Sequence, residues 1–230
     1  MESVAFITAN HGREDVLKIY CEGIERIKRQ TSLRVESIIV GDENAVCRDY
    51  NAVHVPYNNN SVTGRFNIAC QKARTFDVDA VIISGSDDLY NNELFNYIVS
   101  REEDFVGFKD IYLYSLDGDT KGTLVFLTTS LVGCGRLLSK SLLDRINWTI
   151  CNRERLWGVD QVVRQTIHRH VQSEHIFLAS SVGGRCVDLK SSESMNLFRK
   201  WKGLEPRTPN ELFDWLSQEE KDLINKIINQ

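Results

Sequence analysis

Two adjacent carboxylates, Asp87 and Asp88, follow Gly85-Ser86 at the end of the apolar run 78–84. Like charges crowded at the end of a buried strand repel unless a cation or several donors compensate them. A hard divalent ion is the natural partner: oxygen ligands without His or Cys nearby favour magnesium or manganese over zinc, and such ions keep positions open for substrate phosphate. The alternative is that one of the two caps a helix starting near Asn91 or turns the chain. Asp160 opens the stretch through Val162, Val163 and Ile167, where a helix N-cap is the plain reading. Asp42 follows the apolar run 35–40 among turn formers, Gly41-Asp42-Glu43-Asn44, where a simple turn role is equally open. His11 and Arg13 come just after the first apolar run and Lys190 after a late one, placed either to face a diphosphate or to sit in solvent.

The six cysteines are scattered singly, with no C-x-x-C pair and no His at zinc spacing, and read as reduced, buried thiols of an intracellular protein. His168, His170 and His175 have no Cys or carboxylate at ligand spacing, so packing or surface roles are expected.

The elements that position these groups alternate. Residues 4–8 form an apolar run, followed by Val16, Leu17, Tyr20, Ile24 and Ile27 at helical spacing, which predicts strand, loop and helix. Runs 35–40, 52–55 and 78–84 predict further strands, with a helix marked by Phe66, Ala69, Cys70 and Ala73 between the last two. Strands alternating with helices imply right-handed crossovers, a mostly parallel sheet and a ligand cleft outside the strands' carboxyl ends. Asn10, Asp42, Asp87 and Asp88 are therefore expected to converge. Beyond the helix at 94–99, strand-like segments at 105–108, 111–116 and 124–128, with a hairpin connection at 117–122, make the second half mixed. Helices at 141–146 and 160–169 and strands at 176–179 and 187–189 follow. Thr208-Pro209-Asn210-Glu211 and Ser217-Gln218-Glu219-Glu220 read as two capping-box starts, the first with Pro at its first helical position.

The chain of 230 residues is 42% hydrophobic and carries a formal net charge of -4, enough for one α/β core with a C-terminal appendage. That charge argues against wholesale binding to nucleic acid or an anionic membrane. The start of the chain lacks a signal-peptide pattern and no stretch reaches the ~20 apolar residues of a membrane span. A cytoplasmic protein without membrane insertion is expected; its oligomeric state is not legible.

The segment Arg65-Phe66-Asn67-Ile68-Ala69-Cys70-Gln71-Lys72-Ala73, a spacer, then Val81-Ile82-Ile83-Ser84-Gly85-Ser86-Asp87-Asp88-Leu89 resembles the core of GT-A, family-two-like glycosyltransferases, an Asn-bearing helix before a strand that ends in an Asp-x-Asp metal motif. Gly85 replaces that motif's first carboxylate. The loop 7–13, the second strand with Asp42, the Gly133-Cys134-Gly135-Arg136 turn and Trp157-Gly158-Val159-Asp160-Gln161 are similar to further parts of the family pattern. The resemblance implies a single GT-A (Rossmann-like) domain over 1–195, with a mixed, mostly parallel central sheet flanked by helices. Residues 1–100 would bind the nucleotide sugar and 101–195 the acceptor, with a C-terminal helical extension over 196–230. It implies Thr8, Asn10, Arg13, Asp42, Arg65, Asn67, Ser86, Asp87, Arg136 and Lys190 as nucleotide-sugar-binding residues, Asp87 and Asp88 as ligands of Mn2+ or Mg2+, and Asp160 as catalytic base. The implied activity is metal-assisted transfer of a hexosyl or pentosyl group from a nucleotide-diphosphate sugar to a hydroxyl.

Small soluble glycosyltransferases of bacteria and bacteriophages are similar in layout, and some of the latter glycosylate hydroxymethylated bases in DNA. For such a phage enzyme the location would be the host cytoplasm. Phe198-Arg199-Lys200-Trp201-Lys202 interleaves aromatics with cations, which suits DNA or a solvated helix edge, so the acceptor is a saccharide or a modified base. Two alternatives remain. A non-catalytic nucleotide- or sugar-binding module would dispense with Asp160, and a sugar-nucleotide nucleotidyltransferase would need a Gly-x-Gly-Thr-Arg loop that residues 9–13 do not supply.

Overall fold

Strand β1 (Ser3–Asn10) is buried along nearly its whole length, as a near-continuous apolar run must be when helices cover both faces of a parallel sheet. It pairs in parallel with β2 (Arg34–Gly41) on one side and with β4 (Ala80–Ile83) on the other, and β2 pairs in parallel with β3 (Val53–Pro56). Between them run α1 (Glu14–Gln30), the short α2 (Ala45–Asp49) and α3 (Val62–Arg74). The computed structural model describes residues 1–42, 45–57, 61–156, 158–191 and 204–229.

Alternate residues of β1 feed two cores. Val4 and Phe6 pack with Leu17, Tyr20 and Ile24 of α1, while Ala5 and Ile7 pack with Phe66, Ala69 and Cys70 of α3. Acidic Glu14 and Asp15 begin α1 and basic Lys28 and Arg29 end it, complementing the helix dipole. Ser61 caps α3 by accepting from the Gly64 N–H at 3.0 Å.

After β4 the chain forms β5 (Asp88–Tyr90), α4 (Asn92–Val99), β6 (Phe105–Phe108), β7 (Asp110–Ser115), β8 (Leu124–Thr128) and β9 (Arg136–Ser139). Then come α5 (Lys140–Arg145), α6 (Val159–Ile167), β10 (Glu174–Phe177), β11 (Cys186–Lys190), β12 (Pro206–Arg207), α7 (Asn210–Phe213) and α8 (Gln218–Ile228). The central sheet has seven strands in the order β10-β6-β9-β4-β1-β2-β3, with β9 antiparallel to both neighbours. This is the mixed, mostly parallel sheet flanked by helices that the alternation predicts.

Three strands were not expected; one is the two-residue β12, which pairs with β8 from within the tail expected to be helical. Residues 136–139, of which only Arg136 belonged to the expected 133–136 turn, run as β9 between β4 and β6. Residues 88–90 leave the loop to become β5, the edge of a second, five-stranded sheet ordered β12-β8-β7-β11-β5. That sheet rests on α1, α7 and α8 through Val16, Ile19, Leu89, Val187, Leu189, Leu212 and Ile224.

The capping expectations divide. Ser217 and Glu220 form the reciprocal capping box of α8, whereas α7 is a single turn with Pro209 in the cap position and no side-chain cap, so the box at Thr208 does not form. All six cysteines are buried free thiols. Among the described residues no helix is long and apolar enough to cross a membrane.

Candidate active site

The carboxyl ends of β1, β2 and β4 lie side by side, with Asn10 directly opposite Gly41 and Ile7 opposite Ile83. Gly41 has φ 153°, and a Cβ there would overlap the Asn10 carbonyl oxygen, so the close approach requires glycine. Asn10 is 1% exposed and Thr8 is fully buried, yet the Asn10 amide and the Thr8 hydroxyl have no hydrogen-bond partner among the described residues. Buried polar groups left unpaired are costly, so these two offer hydrogen-bonding capacity to a polar ligand. The Asn10 carbonyl accepts from the buried Arg65 guanidinium at 3.0 Å. Burial, opposed by Asp42, lowers the Arg65 pKa.

Asp42 lies just past β2, paired with the exposed His11 ring, and the His54 ring meets its carbonyl at 2.9 Å. The hydrogen bond from His11 is the main reason that the Asp42 carboxyl sits below its ordinary pKa.

Gly85-Ser86-Asp87-Asp88 turns from β4 into β5. The helix α4 is capped by Asn91, whose side chain accepts from the Leu94 N–H at 3.1 Å; neither Asp87 nor Asp88 is its cap. Asp88 is 3% exposed, accepts from the Gly85 N–H, and stands directly across the β5–β11 ladder from Asp188. Carboxylate oxygens of Asp87, Asp88 and Asp188 all lie within 4.8 Å of one another. Two cations answer them: Arg13 donates to Asp87 at 2.6 Å and to Ser86 at 2.8 Å, and Lys190 pairs with Asp188. Burial, reinforced by the neighbouring carboxylates, raises the Asp88 carboxyl well above its ordinary pKa and pushes Asp188 up to about 6, the latter against the pull of Lys190. Burial works against the Lys190 charge, but the facing Asp188 and Asp87 outweigh it and its pKa lies above the ordinary lysine value.

The missing motif carboxylate at Gly85 has a spatial explanation. A Cβ there would stand 2.6 Å from Asp87 Oδ1 and 2.7 Å from Asp88 Oδ2. The other two carboxylates fill the space that a side chain at 85 would need. Asp188, which the sequence reading did not assign to the site, completes the trio; its signal was period-two alternation, which sets Cys186, Asp188 and Lys190 on one face of β11. The trio fits a hard divalent ion. Its donors are all carboxylate oxygens, and Asp188 Oδ1 is buried with no hydrogen-bond partner among the described residues. Against the expectation of no Cys nearby, the fold brings Cys134 and Cys186 Sγ within 4.8 Å of an Asp88 carboxylate oxygen.

Gly135 donates to the Ile83 carbonyl at 2.7 Å, and Arg136 lies opposite Ile83 in the ladder, which brings the Gly133–Arg136 segment to the end of β4. The Arg136 guanidinium, 3% exposed, donates to the Val132 carbonyl at 2.8 Å and to the Asp160 carbonyl at 3.0 Å, with Asp160 Oδ1 at 3.9 Å. Burial lowers its pKa against the pull of Asp160. Gly158 is the N-cap of α6, so Asp160 sits inside the first turn and does not cap; its side chain is 63% exposed.

The Asp160 carboxylate rests on the bare Cα of Gly133. A Cβ at 133 would be 2.6 Å from both Asp160 Cγ and Oδ1. Gly133→Ala should therefore swing this carboxylate outward while the fold stays intact. A shift of about 1 Å costs a catalytic group up to roughly 100-fold. With Asp160 as the base that the family resemblance implies, turnover is expected to fall with nucleotide-sugar affinity unchanged, as steady-state kinetics beside a binding isotherm would show.

Asn67 is not brought to the cleft. Its amide is consumed by the Cys151 backbone, donating to the carbonyl at 2.8 Å and accepting from the N–H at 2.9 Å, which ties α3 to the loop before α6. Glu43, Trp157 and the segment 198–202 lie outside the described residues.

No model of a known protein family matches the chain, and no curated protein matches it. Solved structures do. TarS of S. aureus, as fragment 1–349, superposes with a TM-score of 0.52 at 14% identity over 77% of this chain, which spans 60% of that fragment. The catalytic domain of Drosophila beta1,4galactosyltransferase 7, in complex with xylobiose, gives 0.53 at 11% identity over 98% of this chain and 80% of that one. The inositol-1-phosphate CTP transferase of T. maritima gives 0.50 at 10% identity over 99% of this chain and 96% of that one. At such identities the likeness is one of fold, and the chain has a GT-A-like fold.

Proposed function

We propose that the chain is a glycosyltransferase moving a hexosyl or pentosyl group from a nucleotide-diphosphate sugar to a hydroxyl acceptor. The observation that carries this reading is the Asp87–Asp88–Asp188 cluster with Arg13 and Lys190, at the carboxyl end of the sheet in a GT-A-like fold. Residues 1–100 supply most of the donor side, joined by Asp188 and Lys190. Residues 101–195 supply the acceptor side.

Thr8 and Asn10 offer their unpartnered polar atoms to the nucleoside, with Asp42 at the rim and Arg65 holding the end of β1. Ser86 and Asp87 line the turn below the diphosphate. Asp87, Asp88 and Asp188 would hold manganese or magnesium, which would supply charge neutralisation to a leaving diphosphate. Arg13 and Lys190 add fixed positive charge beside it. Asp160 removes the acceptor proton, and Arg136 holds its backbone.

A thermal-shift screen of uridine, guanosine, cytidine and thymidine diphosphates and their sugars, with and without manganese, tests the reading. One nucleotide class should raise Tm, because a ligand bound only to the folded chain stabilises it, by about 2.7 kcal/mol at a hundredfold excess over Kd. No shift with any of them would remove the donor site.

The likeness to a CTP transferase keeps nucleotidyl transfer as a second reading. The released product separates the two, a nucleoside diphosphate for glycosyl transfer and pyrophosphate for nucleotidyl transfer. A saccharide is the preferred acceptor. A hydroxymethylated DNA base is the alternative, decided by a low-salt anisotropy titration with DNA.

A further inference from the structure

Arg13 and Lys190 do more than line the cleft. Lys190 is 6% exposed, so its ammonium cannot retreat into solvent, and its partner is Asp188, on the same face of β11 two residues earlier. Arg13, in the left-handed region at φ 52°, bridges Asp87 and Ser86, with only 15% of its side chain exposed. The Leu189 N–H donates to the Asp87 carbonyl at 2.8 Å, which locks the two ion pairs into one unit. Each cation is therefore committed to a carboxylate that a dication would also claim.

We infer that Arg13 and Lys190 are exchangeable counter-ions. They neutralise Asp87 and Asp188 while the cleft is empty, and they turn to the diphosphate once a divalent ion takes the carboxylates. The inference rests on the donor-site reading above. Its physical content is a competition with opposite signs for the two ligands. A cation removed from the pair strengthens binding of the ion and weakens binding of the diphosphate; a carboxylate removed does the reverse. Coupling between sites of this kind is typically worth 5–150-fold.

The probes are Mn2+ alone, followed by the electron paramagnetic resonance of the free ion, and inorganic pyrophosphate in EDTA, followed by calorimetry, both on the full chain. In Lys190→Met, and in Arg13→Met as a second variant at a less buried position, Mn2+ should bind roughly tenfold tighter and pyrophosphate roughly tenfold weaker. Asp188→Asn should lose Mn2+ affinity and gain pyrophosphate affinity. The double variant Asp188→Asn/Lys190→Met separates exchange from a general change of field, because the gain must vanish when the lysine is absent. An equal gain with and without Lys190, or unchanged or weaker Mn2+ binding in both cation variants, overturns the exchange while leaving the donor site standing. An unaltered protein that binds neither probe removes the donor site and the exchange with it.

Discussion

Replacing Asp160 by Asn lowers transfer by about 10²–10⁴-fold, the range that a positioned general base supplies, while nucleotide-sugar binding stays close to that of the unaltered protein. The substitution keeps the shape of the side chain and removes only its basicity. It also leaves α6 intact, because the helix is capped by Gly158 and Asp160 makes no capping bond. The carboxylate is held in place by two contacts, the bare Gly133 beneath it and Arg136 on its own carbonyl. Single-turnover rates with donor affinity measured separately would decide the matter. Loss confined to the chemical step marks a group that acts in the transition state. Loss of donor affinity would make Asp160 structural, and undiminished turnover would remove it from the chemistry.

Glu220→Ala lowers the stability of the fold by about 3–5 kcal/mol, the usual cost of stranding one partner of a buried ion pair, or on the order of 10 °C in Tm. Arg26 of α1 and Glu220 of α8 meet at 2.8 and 3.2 Å, with side chains 5% and 0% exposed. The same guanidinium donates to the Tyr90 carbonyl at 2.7 Å and to Asn92 at 3.0 Å, and lies 5.3 Å from the Trp215 ring centroid. Without Glu220 this charge keeps its burial and loses its counter-ion, and α8 also loses its capping box. Glu220→Gln, which keeps an acceptor, should cost clearly less. Denaturant melts of both variants test this; an unchanged midpoint for the alanine variant would make α8 a dispensable tail.

The βα alternation of the first half was legible because buried parallel strands are continuous apolar runs, and their ends predicted that Asn10, Asp42 and the Asp87–Asp88 turn share one edge. What escaped the sequence depends on pairing over long separations. β5 has only three residues and begins with an acid, and β9 begins with an arginine after a glycine-rich turn, so neither looks like a strand alone. Asp188 reaches the cleft because β11 lies antiparallel beside β5, a neighbour about a hundred positions away. Asn67 errs the other way. A motif located it, but the fold turned its amide toward Cys151. The caps show the same limit at short range, since Ser217 and Thr208 head similar patterns and only the first precedes a helix long enough to use one.

Like charges directly opposite each other weaken a strand pair, and Asp88 opposite Asp188 puts such a pair at the sheet edge, where β5 has one neighbour. The edge should therefore be the first part of the cleft to open in local fluctuations. Any bound charge that quiets the repulsion also lengthens the time that this edge stays shut. Filling the site then registers as slower breathing of two short strands.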